Sequence, residues 1–183
     1  MKPSGQTLDS QKTARVLAEE FPVSIIMERE MVTHGRWRLP KWQAVGIVAG
    51  DQVAPDANEK ILIHSEQGRE QYLWQGYSLT LYKDGAESYW YNLMGKFPSL
   101  FVICHAEEDG ELVPFSVTAN YDEAGAHQES DDTVFSIPIP PEIYQWLEHY
   151  VVENYIPQEK KKRKRTRWKE EAAFDRRPKI ERR

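Results

Sequence analysis

Residues 72–93 read Tyr72-Leu-Trp-Gln-Gly-Tyr-Ser-Leu-Thr-Leu-Tyr-Lys-Asp-Gly-Ala-Glu-Ser-Tyr-Trp-Tyr-Asn-Leu93. Two aromatic-rich runs meet at Asp84-Gly85, a dipeptide that favours the tight turn of a β-hairpin. The pattern therefore predicts a hairpin, and its register decides which aromatics face outward. A two-residue loop sets Leu79 opposite Trp90 and Leu81 opposite Ser88, with Tyr89 and Tyr91 on the other face beside Thr80 and Ser78. A three-residue loop, Asp84 to Ala86, moves Tyr89, Tyr91 and Leu93 beside Leu81, Leu79 and Tyr77 and brings Trp90 across to Thr80. A slip of one residue exchanges the two faces of a strand. In either register the hairpin carries aromatics on both faces, so Tyr82, Tyr89, Trp90 and Tyr91 form a candidate partner surface, with full covering of both faces as the equal alternative.

Short strands extend outward from this stretch in both directions. Upstream, Phe21 begins a run in which Val23, Ile25 and Met27 alternate with Ser24, Ile26 and Glu28, and Pro22 suits a first or edge strand. Thr33, His34 and Gly35 read as a loop. Pro40 argues against one continuous central strand over 37–42, while Trp42 to Val48 reads as a second strand buried on both faces near its end. Residues 50–58 are a loop by composition, Lys60 to His64 a short strand, and Ser65 to Glu70 a polar link. Downstream, Ser99 to His105 is a strong apolar strand. The acidic turn Glu107 to Glu111 leads it into a partner strand, Leu112 to Asn120. Asp122-Glu123-Ala124 supports one helical turn, and Val134 to Ile137 is a brief strand.

The chain then enters an amphipathic helix from about Pro141 to Tyr155. Ile143, Trp146, Leu147, Tyr150 and Val151 recur at helical spacing, which gives one apolar stripe to close an open sheet face. The expected architecture is α+β: mainly antiparallel β-sheet or a partly open barrel, packed by this one C-terminal amphipathic helix, with disordered ends. The domain organisation that follows is a disordered or marginally helical N-terminal tail over 1–20, a single globular domain over 21–156, and a basic, disordered tail over 157–183.

Net charge sharpens that division. The chain of 183 residues sums to -5, but residues 1–156 hold 11 Lys and Arg against 24 Asp and Glu, whereas 157–183 hold 13 against 5. An acidic body with a basic tail is implied. Lys160, Lys161, Lys162, Arg163, Lys164 and Arg165 form a candidate anion-binding tail for nucleic acid or another anionic surface, with a merely solubilising segment as the simpler reading.

Chemistry is sparse along the chain. The five histidines, His34, His64, His105, His127 and His149, have no metal-ligand spacing on a common element. Glu28 and Glu30 project from one strand face, the arrangement that paired acid and base carboxylates require, though solvated charge is commoner in so acidic a body. Cys104 stands alone in an apolar run, which reads as a buried structural thiol. Glycines are spread singly, without a phosphate-cradling loop, and Ser88 has no nucleophile elbow. No cofactor, metal or catalytic residue is expected, and the balance points away from an enzyme. No apolar run reaches transmembrane length, and the first residues lack a signal-peptide core, so a cytoplasmic location is expected.

Six motifs together resemble a known family. They are Phe21-Pro-Val-Ser-Ile-Ile-Met-Glu-Arg, Trp42-Gln-Ala-Val-Gly-Ile, Tyr72-Leu-Trp-Gln-Gly, Glu87-Ser-Tyr-Trp-Tyr-Asn-Leu93, Tyr121-Asp-Glu-Ala and Pro138-Ile-Pro-Pro-Glu-Ile143. In these the chain is similar to the proteobacterial domain of unknown function DUF-3305 over roughly Phe21 to Tyr155. The resemblance implies a small cytoplasmic protein encoded beside formate dehydrogenase and molybdenum-cofactor genes, sometimes labelled for molybdopterin-guanine dinucleotide biosynthesis. It carries over no catalytic residue. The leading expectation is a non-catalytic accessory protein that binds a protein partner in the maturation or assembly of a molybdenum-containing formate dehydrogenase. The alternatives are an enzyme of molybdenum-cofactor assembly and nucleic-acid binding through the basic tail. A nucleotidyltransferase needs a Gly-rich loop after a parallel strand, and an antiparallel reading offers none.

Overall fold

The computed structural model describes residues 18–50, 59–108 and 110–157. In it, strand propensity holds as far as Tyr82 and then gives way. Strands β1 (Ala18–His34), β2 (Trp37–Ala49), β3 (Lys60–Glu66) and β4 (Arg69–Tyr82) form one antiparallel sheet in the order β2-β1-β4-β3. Strands β5 (Ser99–Ala106), β6 (Leu112–Thr118) and β7 (Thr133–Pro138) form a second, in the order β6-β5-β7. Among the described residues three α-helices accompany them: α1 (Ala86–Leu93), α2 (Tyr121–Glu129) and α3 (Pro141–Asn154). The α+β class holds. Among the described residues the two sheets stay separate and close no barrel, and α3 is joined by α2, which extends the one helical turn expected at Asp122-Glu123-Ala124, and by α1, which was not expected.

The central correction falls on the Asp84-Gly85 hairpin. A type I′ turn needs positive φ at both central residues. Gly85 instead sits at φ -81°, ψ -8°, the right-handed region, and Lys83–Gly85 form a short 3-10 helix that runs straight into α1. Tyr89, Trp90 and Tyr91 are therefore helical, neither hairpin register applies, and β4 pairs with β1 and β3 instead.

Two bulges explain the burial pattern of the first sheet. Val23 pairs with Tyr77 and Ile25 with Trp74, so β4 spends three residues where β1 spends two, with Gly76 taking φ +86° at the irregularity. That extra residue brings Trp74 and Tyr77 onto the same buried face, continued by Leu79 and Leu81. Similarly, Ile26 pairs with Gly46 and Met27 with Ala44. The bulge turns Trp42, Ala44 and Ile47 inward and leaves Val45 and Val48 exposed, so the end of β2 is covered on one face only.

Pro22 and Pro40 both yield to geometry. Pro40 lies within β2, which runs unbroken through it because β2 is an edge strand and the missing N–H has no ladder bond to lose. Pro22 lies in β1, a central strand. Its carbonyl accepts the Gly50 N–H at 2.9 Å on the side where β2 has just ended, so its ring nitrogen faces a gap in the ladder.

The β5–β6 hairpin forms as its sequence predicts, closed by Glu107 N–H to the Glu111 carbonyl at 2.8 Å. Strand β5 is central in its sheet and buried from Leu100 to Cys104. The two sheets meet where the Tyr77 hydroxyl donates to the Pro114 carbonyl at 2.6 Å. Val23, Ile25, Leu79 and Leu81 of one sheet and Leu100, Val102 and Ile137 of the other belong to one buried cluster, which also takes in Ile143, Leu147, Tyr150 and Val151 of α3.

Candidate partner-binding surface

Helix α1 is positioned by three buried polar or amphipathic side chains. Asn92 donates to the Ser99 carbonyl at 2.7 Å and the Ala119 carbonyl at 2.8 Å, and its own oxygen accepts the Ser99 N–H at 3.0 Å. One turn earlier, the Ser88 hydroxyl oxygen accepts the Tyr121 N–H at 3.0 Å. Between them Tyr89, only 1% exposed, takes the Tyr82 N–H on its hydroxyl oxygen at 3.2 Å and packs edge-on to Tyr150 of α3. Burial pushes the Tyr89 phenol up to about 12. Gly85 is required by this arrangement, since a Cβ there would lie 2.6 Å from the Tyr89 hydroxyl oxygen.

Ala86, Ser88, Tyr89 and Asn92 turn inward, Trp90 and Leu93 are partly covered, and Glu87 and Tyr91 face out. Tyr91 is 49% exposed, and Trp90 is half-buried between the rings of Tyr91 and Tyr155, at centroid distances of 4.9 and 5.3 Å. Met94 continues the helical turn through its N–H to the Trp90 carbonyl at 3.0 Å and is exposed, as is Phe97, at 77%. Tyr82 is 53% exposed. It borders an open cleft of about 440 Å³ with Asp84, Gly85, Tyr89, Asn120 and Glu123. Of the four expected surface aromatics, Tyr82 and Tyr91 stand outward, Trp90 is half covered, and Tyr89 is withdrawn into the core as a correction. The basic segment Lys160, Lys161, Lys162, Arg163, Lys164 and Arg165 lies outside the described residues.

Folding also gathers residues whose sequence spacing says nothing. His105 Nδ1 lies 2.8 Å from one oxygen of Asp132 and His127 Nδ1 lies 2.7 Å from the other. An ionised carboxylate only accepts, so each Nδ1 carries the hydrogen. Phe115 stacks on His105 at 3.8 Å and meets His127 edge-on at 5.5 Å. The His127 hydrogen bond, seconded by His105, holds the Asp132 carboxyl below the usual range. Among the described residues no group of three or more His, Cys, Asp or Glu side chains is placed to hold a metal ion.

Glu28 and Glu30 line one cleft of about 560 Å³ with His64, Glu66 and Arg69. Glu28 is buried and accepts from Gln71 and Gln43, each at 2.9 Å, and the Gln71 bond foremost depresses its carboxyl. Cys104 is buried, which drives its thiol up to about 12. Among the described residues no helix is long and apolar enough to cross a membrane.

The run that builds α1, Glu87 to Leu93, is one of the six motifs that carry the family resemblance. A family model described as "Protein of unknown function (DUF3305)" matches residues 22–164, most of the chain. The chain belongs to this family. The DUF3305 match takes in every described strand and helix from Pro22 onward, α1 and its aromatic face included. No match to the curated proteins or to the solved structures was found.

Proposed function

We propose that this DUF3305 protein is a non-catalytic accessory protein that binds a protein partner through the outward face of α1. The observation that carries this reading is the exposure of Tyr91, Met94 and Phe97 along α1 and the turn after it, with Trp90 beside them and Tyr82 at the entry. Exposed apolar groups gathered on one element mark interaction sites, and aromatic residues and Met are enriched in them. Their support is rigid: Asn92, Ser88 and Tyr89 anchor the inner side of the helix, so a partner meets a preformed surface. The contact of Phe21 with Trp146, centroids 5.1 Å apart, supports a reading in which α3 packs on the first sheet and backs α1.

The context we propose, on the family resemblance alone, is maturation or assembly of a molybdenum-containing formate dehydrogenase, in the cytoplasm, with the body over 21–156 acting as one unit. The basic tail would add a salt-sensitive contact to an anionic partner. Co-purification from the native host tests this, with recovery of a dehydrogenase subunit or maturation factor as the expected result. Saturable binding of GTP or molybdopterin in a calorimetric titration would favour the cofactor-assembly alternative instead.

A further inference from the structure

Away from α1, at the rim where the two sheets meet, Lys60 at the start of β3 extends its ammonium over three rings. Its nitrogen lies 4.4 Å from the Tyr72 centroid and 5.3 Å from those of Trp42 and Trp74. It pairs with Glu111, which closes the β5–β6 turn. Arg29 of β1 stands 6.0 Å from the same Trp42 ring and pairs with Glu70 at 3.0 Å, and Glu70 also accepts the Tyr72 hydroxyl at 2.8 Å. Arg29, Pro40, Trp42, Lys60, Tyr72 and Glu111 line a cleft of about 190 Å³.

The charge of this cleft runs against that of the chain. Through residue 156, acids outnumber bases by more than two to one, yet here two cations face one acid. Both cations are held in place before any ligand arrives, Lys60 by the faces of three rings and Arg29 by Glu70, so little side-chain freedom is left to lose on binding. Each already holds a carboxylate. Of the two, Glu111 is carried on the turn between β5 and β6, beside Gly110 at φ +82°, whereas Glu70 is fixed within a central strand.

We propose that this cleft is a carboxylate-binding site in which Glu111 is the resident competitor. An incoming carboxylate takes the place of Glu111 on the Lys60 ammonium and receives the remaining N–H groups of Arg29, while Trp42, Tyr72 and Pro40 cover its apolar carbons. The carboxylate comes either from a small acid or from an acidic side chain of a partner. The bland reading is that Lys60 and Glu111 only pin one sheet to the other.

Titration of the full chain with succinate, and separately with a penta-glutamate peptide, separates these readings through the fluorescence of Trp42 in the cleft wall and of Trp74, whose ring also lies under the Lys60 ammonium. Saturable binding is expected, tightened about fivefold in Glu111→Gln and weakened at least about tenfold in Arg29→Gln and Lys60→Gln, since charge-assisted hydrogen bonds are the strong ones. Arg29→Lys, which keeps the charge, should retain part of the affinity and guards against misfolding as the cause. Preference for the peptide assigns the ligand to a partner chain, and preference for succinate to a small molecule. Wild type and Glu111→Gln both failing to saturate, or Arg29→Gln and Lys60→Gln titrating like wild type, would overturn the proposal. A fall in melting temperature in Glu111→Gln without binding would establish the pin.

Discussion

Gly85 lies directly against Tyr89: a Cβ at position 85 would stand 2.6 Å from the Tyr89 hydroxyl oxygen and 2.7 Å from its ring carbon Cζ. Tyr89 is only 1% exposed and its hydroxyl takes the Tyr82 N–H, so moving the ring away from a new Cβ would give up that bond and its packing against Tyr150. The glycine that looked like a turn residue is needed for close approach instead. Gly85→Ala should destabilise by about 1–3 kcal/mol, the usual cost of overpacking, measured by urea unfolding. An unchanged midpoint would show that the α1 start can shift.

Asn92 is the second anchor of α1. Its truncation to Ala strips partners from the Ser99 N–H, the Ser99 carbonyl and the Ala119 carbonyl together. Unmet groups at such sites cost about 1–3 kcal/mol each, offset in part where water enters, so a loss of about 2–4 kcal/mol is expected. Amide exchange of Ser99 should accelerate in the same variant.

The strands and α3 were legible in the sequence because their apolar periodicity survives into the fold. Val23, Ile25 and Met27 turn inward as alternation predicts, and Ile143, Leu147, Tyr150 and Val151 form the buried stripe of α3. Helix α1 was not, for a physical reason. Tyr89, Trp90 and Tyr91 favour strands by propensity, and Asp84-Gly85 favours a hairpin, but tertiary context overrides both. What fixes the helix is the spacing of Ser88 and Asn92, one turn apart, whose backbone partners lie at Tyr121, Ser99 and Ala119. Exposure was legible in part: Tyr82 and Tyr91 stand outward as expected, but strand logic could not tell that Tyr89 points in and Met94 and Phe97 out. The cluster of Asp132 with His105 and His127 left no sequence signal, since it joins the end of β5 to α2 and the turn after it.

That cluster carries a pH prediction. Asp132 is held below the ordinary carboxylate range, first by the His127 hydrogen bond and then by that of His105. A depressed carboxyl stabilises the fold above its unfolded pKa of about 3.9, and this contribution disappears as pH falls through the lower folded value. Asp132→Asn should therefore be less stable than wild type at pH 7, and the gap should narrow in acid. Unfolding curves at pH 7 and pH 3 check this, and a gap that stays constant would contradict it.

Binding of a partner through α1 is tested most directly by one measurement. The partner subunit recovered by co-purification is titrated against wild type, a chain ending at Pro157, and Tyr82→Ala/Tyr91→Ala, two exposed positions that leave the Tyr89 and Asn92 anchors intact. With far-UV circular dichroism unchanged, the double variant should bind at least about 30-fold more weakly, the loss of one interface hot spot or more. The chain ending at Pro157 should lose only the salt-sensitive part of the affinity. Equal binding by the double variant and wild type would contradict the claim.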